Sequence, residues 1–335
     1  AARAFEGGEF EESSSLLEPM LEGLDPSSDP LQLRLHLGAT LVELGRIPEA
    51  DEMLTLAVDQ ARTEQRNASL CYGLLTRGRA RVRLRQVEPP RADLLAALDL
   101  CQSLETFRWA GVAAIALSVV SRLQMDLDDA MSWRKSALEF FRHAGDLKGQ
   151  ARALHYIATI GIIKGELTSA MVQLQDARDL ARQADASSEL GGILGEMAAI
   201  NYLLGDFDQA LDQYREAVRL APNPWRRGMM LVNIGSIHEF RRQFDEALPV
   251  LKEALQLMRS VGDHRTETQA LQSLGEAYCE VDQCEEGLVY LDNAIAIARE
   301  FDIPMSEAYA LEIKGNGLLR LGRIDEAGLA FEKAT

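Results

Sequence analysis

Little in this chain favours strands or breaks helices. Proline contributes only 10 of 335 residues and aromatic side chains 6%, whereas Ala and Leu dominate. That balance disfavours sheets and favours helices. Cysteine is rarer: Cys71 and Cys101 stand isolated, and Cys279 and Cys284 lie five apart with no histidine beside them. No disulfide framework or zinc site is expected, only small buried thiols in a reducing, cytoplasmic compartment. Long apolar runs are missing. The longest, WAGVAAIALSVV at 109–120, sits between Arg108 and Arg122. It falls short of the ~20 residues that a bilayer demands, and no signal peptide is visible, so no membrane role is expected. Positive charge is outnumbered, with 35 Lys and Arg against 52 Asp and Glu and a net charge of −17. Such a chain is not built to coat DNA or anionic lipid, and direct nucleic-acid binding is not expected, although a local basic site stays open.

Catalytic signatures are also absent. The histidines His36, His143, His155, His238 and His264 are scattered, and HEFRR at 238–242 lacks the second histidine of a zinc-protease helix. The glycine-rich GGILGE at 191–196 has no strand before it, so close packing explains it better than a nucleotide loop. No G-x-S-x-G, P-loop or kinase pattern occurs. The expectation is a non-enzyme with no catalytic residue, cofactor or metal.

What is present is a period. LGRIPEADEMLTLA (44–57), KGELTSAMVQLQDA (164–177), LGDFDQALDQYREA (204–217), RRQFDEALPVLKEA (241–254) and LGRIDEAGLAFEKA (321–334) are versions of one phrase. Their closing alanines extend to Ala57, Ala97, Ala137, Ala177, Ala217, Ala254, Ala294 and Ala334, in steps of 40, 40, 40, 40, 37, 40 and 40. Nineteen residues before each stands a small residue: Gly38, Gly78, Ser118, Ala158, Ala198, Gly235, Gly275 and Gly315. A third column, seven before the alanine, is Ala50, Pro90, Ala130, Ala170, Ala210, Ala247, Gly287 and Ala327. Each unit holds two amphipathic helical patterns around a short break. Antiparallel helices approach to ~8 Å only where side chains are small, so the columns mark helix crossings. One pair cannot bury its own apolar face and must stack on the next.

A small residue, an Ala twelve on and another seven further, with G-x-[FIL]-x-x-A at the turn, resembles the tetratricopeptide repeat over essentially the whole chain. The family's repeat is about 34 residues; the longer period here is similar to that of kinesin light chains, spindle-orientation adaptors and bacterial regulators with solenoid sensor arms. The resemblance implies an all-α, right-handed superhelical solenoid of antiparallel helix pairs. Eight repeats are read from near residues 31, 71, 111, 151, 191, 228, 268 and 308, the last truncated. A truncated repeat, the end of one helix plus a second, is read over 1–30. With both ends cutting through repeats, a single elongated domain excised from a longer protein is expected. The bias of 29 Arg against 6 Lys is that of a GC-rich bacterial genome.

One stretch tests this register. RGRARVRLRQ (77–86) alternates like a strand, or like a basic arm, but the columns place it in the first helix of the second repeat. At 100° per residue Arg77, Arg81 and Arg85 share one side, and Arg79 and Arg83 the opposite one. Arg77 and Arg81 then need buried partners, for which Glu43, Asp51, Glu52 and Asp93 qualify. Arg79 and Arg83 fall on positions that, by resemblance, line a concave groove. Arg122, Arg152 and His155 extend that basic stripe; Gly192, Gly195 and Tyr202 follow as an open floor; Glu239, Glu276, Glu280 and Glu312 form an acidic end. The groove is expected to hold a protein or peptide partner. The leading reading is an interaction or ligand-sensing arm of a larger bacterial regulator. A peptide-receptor regulator of the quorum-sensing type and a module that self-associates through its open ends are the alternatives.

Overall fold

The computed structural model describes residues 15–17, 19–21, 29–221 and 223–334. From Leu31 onward the described residues form sixteen α-helices and no strand. In order they pair as α1 (Leu31–Glu43) with α2 (Ile47–Thr63), α3 (Asn67–Arg83) with α4 (Glu88–Ser103), and α5 (Phe107–Leu123) with α6 (Leu127–His143). Next come α7 (Leu147–Ile163) with α8 (Leu167–Gln183), α9 (Ser187–Leu203) with α10 (Phe207–Leu220), and α11 (Pro224–Phe240) with α12 (Phe244–Val261). The last pairs are α13 (His264–Glu280) with α14 (Cys284–Glu300), and α15 (Pro304–Arg320) with α16 (Ile324–Ala334). The repeat read over 1–30 lies mostly outside the described residues.

The 40-residue period is two 20-residue halves. Helices such as α2, α3 and α5 to α9 have 17 residues each, and the usual connection adds three. In every connection but the one between α10 and α11, one described residue turns left-handed, at Gly45, Gln65, Arg85, Glu105, Met125, Gly145, Gly165, Asp185 and Gly205 and again at Arg242, Gly262, Asp282, Asp302 and Gly322. That conformation ends a helix by folding the chain back onto its last carbonyls. α10 has only 14 residues, and those three missing residues are the single 37-residue step. From the second repeat on, first helices start four residues, about one turn, before the positions read from the columns. Asp146, Asn223 and Asp263 each accept from the amide three residues on, at 2.9, 3.0 and 3.1 Å, which satisfies an otherwise orphaned N–H.

The small columns are helix contacts. Ala57, Ala97, Ala137, Ala177, Ala217, Ala254 and Ala294 are all 0% exposed. Gly38, Gly78, Gly235 and Gly275 each face a leucine sixteen residues on. A Cβ there would come within 2.4–2.7 Å of Leu54, Leu94, Leu251 or Leu291. Each such leucine, once buried, contributes about 1.5–3 kcal/mol.

By its contacts the chain divides into two compact units, 1–184 and 185–335. In the first, α1 packs on α3, α3 on α5 and α5 on α7, each also packing on its second-helix neighbours. The first helices therefore form one layer and the second helices cover one side of it. Phe141 of α6 is seated between Gly111 and Gly149, whose missing Cβ atoms would lie 2.7 and 2.3 Å from its ring. In the second unit α11, α13 and α15 line up in the same way around Leu231, Leu251, Leu271, Leu274 and Tyr278.

Two expectations need correction. Arg85 lies beyond the end of α3 with φ 55°, so it does not share a helix face with Arg77 and Arg81. The cysteines are not isolated: Cys71 is joined to Cys101, and Cys279 to Cys284. Antiparallel pairing brings position 71, early in α3, opposite position 101, late in α4; the second pair brackets one turn. The cysteines thus give no support to a reducing compartment. Among the described residues no helix is long and apolar enough to cross a membrane.

Candidate functional site

Side chains of α3, α5 and α7, with Phe141 of α6, line a recess of about 330 Å³ in the first unit. Arg79, Arg83 and Arg152 supply its charge, and Val112, Ile115, Val119, Phe141 and Tyr156 its apolar wall. Arg79 and Arg83 share one carboxylate, Glu43, at the loose distances of 3.9 and 3.7 Å, and Arg83 also donates to the Val42 carbonyl. Partial burial, with the like charges of Arg83 and Arg152, pulls Arg79 below the ordinary guanidinium range against the opposing effect of Glu43. Arg77 and Arg81, on the opposite side of α3, are fully answered. Arg77 grips Asp93 with two bonds of 2.7 and 2.8 Å, and Arg81 reaches Asp51 at 2.6 Å and Asp93 at 3.0 Å.

The second unit carries a recess of opposite sign and similar size, about 330 Å³, on α9, α11, α13 and α15. Glu239, Glu276 and Glu280 line it with Tyr202, Phe240 and Tyr309. Glu280 is neutralised by Arg242 at 2.5 Å and by Arg320. Glu239 is not: its Oε1 is buried without a hydrogen-bond partner among the described residues. Burial, joined by the charge of Glu276, pushes its pKa up to about 8 against a bond from Ser273. Glu276 is raised by burial and by Glu280, and Tyr309 by burial and by Glu276, Glu239 and Glu312. A third recess of about 320 Å³ adjoins it, lined by Glu276, Glu280, Asn316 and Arg320.

The structure thus gathers Arg79, Arg83 and Arg152 in one recess, and Tyr202, Glu239, Glu276 and Glu280 in another. The other stripe residues join neither. Arg122 and Glu312 are exposed, and His155 stacks obliquely near Tyr156, ring centroids 5.6 Å apart. Gly195 does not leave an open floor, because the Met230 methyl lies 3.1 Å from where its Cβ would be; Gly192 is half-buried. Among the described residues no group of three His, Cys, Asp or Glu is placed to hold a metal ion. The stripe missed Arg134, Phe141 and Tyr156. A signal for Arg134 exists in the sequence: sixteen residues after the small column stand Leu54, Leu94, Arg134, Leu174, Tyr214, Leu251, Leu291 and Phe331. Arg134 is the one charge in that series.

Comparison with known proteins follows the same lines. Residues 193–224 and 226–300 match models of the tetratricopeptide repeat. The regulatory protein AfsR of Streptomyces griseus is 25% identical over 218 residues, which is 65% of this chain but 22% of that protein. Two solved structures share the fold at low identity. The apo quorum sensor NprR of Bacillus thuringiensis is 14% identical over 100% of this chain and 99% of its own, with a TM-score of 0.66. A Rap protein complexed with Competence and Sporulation Factor is 14% identical over 91% of this chain and 96% of its own, with a TM-score of 0.56. Paired helices, buried small columns and the two matching models together identify tetratricopeptide repeats over residues 193–224 and 226–300.

Proposed function

We propose that this chain is a non-catalytic, partner-binding segment of a bacterial regulatory protein, and that it holds a protein or peptide on the exposed face of its first helices. One observation carries the reading: successive first helices leave recesses lined by ionisable side chains, where packing alone would have left apolar contacts. A single-chain ligand laid across first helices meets several repeats at once, so occupancy changes how neighbouring helices pack and is transmitted along the array. The likeness to a protein described as regulatory supports the role, and the fold shared with a quorum sensor and with a Rap protein holding a bound factor supports a peptide-sized ligand.

The test is site-specific photo-crosslinking in the organism's own extract. A photoreactive residue replacing Val119 or Tyr309, both on first helices, should trap a discrete polypeptide. The same residue replacing Val172 or Val289, exposed on second helices, should not. A partner trapped from the second-helix positions instead would refute the reading.

A further inference from the structure

Arg134 sits where the repeat calls for a leucine. In the other repeats the residue facing the small column is Leu, Tyr or Phe; here a guanidinium 2% exposed faces Ser118. It donates to Ser118 Oγ at 3.4 Å and to the Tyr156 carbonyl, and it lies over the Tyr156 ring, 5.4 Å from its centroid. Among the described residues no carboxylate reaches it. The charged side chain that bears on it is another cation, Arg122; burial and that cation lower its pKa to about 10 against the opposing effect of Tyr156. At neutral pH it therefore remains charged. A carboxylate in such a position can take up a proton, but the guanidinium stays charged at neutral pH, and an anion nearby would offset that charge.

Tyr156, the residue that Arg134 holds, is also part of the wall of the basic recess. The recess therefore has guanidiniums in two layers: Arg79, Arg83 and Arg152 on the wall, and Arg134 behind Tyr156. Its remaining wall is aliphatic and aromatic. Arginine forks match the planar carboxylate and the phosphoryl group, and the apolar wall suits a side chain beside the charge.

We propose that this recess is an oxyanion-binding site that takes a carboxylate or phosphoryl group flanked by apolar residues of a peptide, with Arg134 as the positioning cation behind it. The proposal rests on the reading of the first-helix face as a binding surface and names the chemistry selected there.

Fluorescence polarisation with three capped, fluorescein-labelled heptapeptides tests it. All are leucine- and glycine-based, and the central residue is glutamate, glutamine or phosphoserine. Glutamate or phosphoserine should bind at least tenfold more tightly than glutamine, and whichever of the two leads identifies the source of the oxyanion. Arg79→Met with Arg152→Met should abolish that preference. Arg134→Leu restores the column, so its melting temperature should equal or exceed that of the parent chain while the preference falls several-fold. A merely structural Arg134 would leave the preference intact. Equal binding of all three peptides, binding of none, or an Arg134→Leu protein of unchanged preference would overturn the proposal. Photo-crosslinking of a natural partner through Val119 or Tyr309 is read independently, so failure of the oxyanion site and failure of partner binding are told apart.

Discussion

The two recesses are alike in volume and in the helices that build them, yet they handle charge differently. In the second unit Glu280 has two arginines, and Glu239, which has none, is brought toward neutrality by a proton retained up to about pH 8. In the first unit Arg79 and Arg83 share Glu43 loosely, and Arg134 has only a hydroxyl, a carbonyl and a ring. A carboxylate can shed excess charge by titration, whereas a guanidinium keeps its own at neutral pH. A sharper contrast lies inside the first unit. Arg77 and Arg134 are both buried, at 7% and 2% exposure, but Arg77 is clamped by Asp93 and belongs to the architecture, whereas Arg134 has no such clamp.

The strongest way to break this contrast is to make Arg77 resemble Arg134. Asp93→Ala strands a buried guanidinium and half of the Arg81 network, and should cost about 3–5 kcal/mol in urea denaturation. If Asp93→Ala proves nearly silent, the distinction between answered and unanswered arginines collapses. The reverse change, Arg134→Leu, replaces an uncompensated charge by the residue found in sister repeats and should gain about 1–4 kcal/mol.

Glu239→Gln sharpens the second-unit side. A folded pKa of about 8 against an ordinary 4.5 means that the native state holds the proton more tightly than the unfolded chain. Its contribution is complete below about 4.5 and is lost as pH rises toward 8. Ser273, Glu276 and Tyr309 are the polar and titratable groups facing it. Glutamine does not titrate, so the variant's melting temperature should gain on the parent's progressively across that window and run parallel above it; a constant difference from pH 4 to 9 would remove the proton from the account. Smallest, and common to both units, is relief at the turns. Met125 at φ 62° and Asp282 at φ 61° occupy the conformation that glycine fills elsewhere. Met125→Gly and Asp282→Gly should each add about 1 kcal/mol by calorimetry. Unequal gains would show that the turns of the two units are not equivalent.

Much of the fold was legible in the sequence because crossings demand small residues, and a column of small residues survives any change in the surface around it. Helix starts were less legible: a crossing reports where two helices touch, not where the helix is capped. The left-handed residue of each turn hides when it is Gln65, Arg85, Glu105 or Met125, since only glycine advertises that geometry. Residues 71 and 101 were read apart because thirty positions separate them along the chain, although the pairing of α3 with α4 opposes them. At the site, the stripe of first-helix positions found the charges on the wall but not the layer behind it. Arg134 belongs to a second helix, outside any list drawn from groove-lining positions, and only its disagreement with seven counterparts reveals it.

The seat of Phe141 separates two properties that most binding sites entangle. Its ring forms part of the wall of the basic recess, yet it is held by two glycines, Gly111 and Gly149, neither of which lines that recess. A single methyl group added at either glycine must shift the ring, altering cavity dimensions while every arginine keeps its place. Size and ionic preference are therefore under separate genetic control, and lineages carrying this scaffold can retune the bulk of an accepted ligand without surrendering the charge that recognises it.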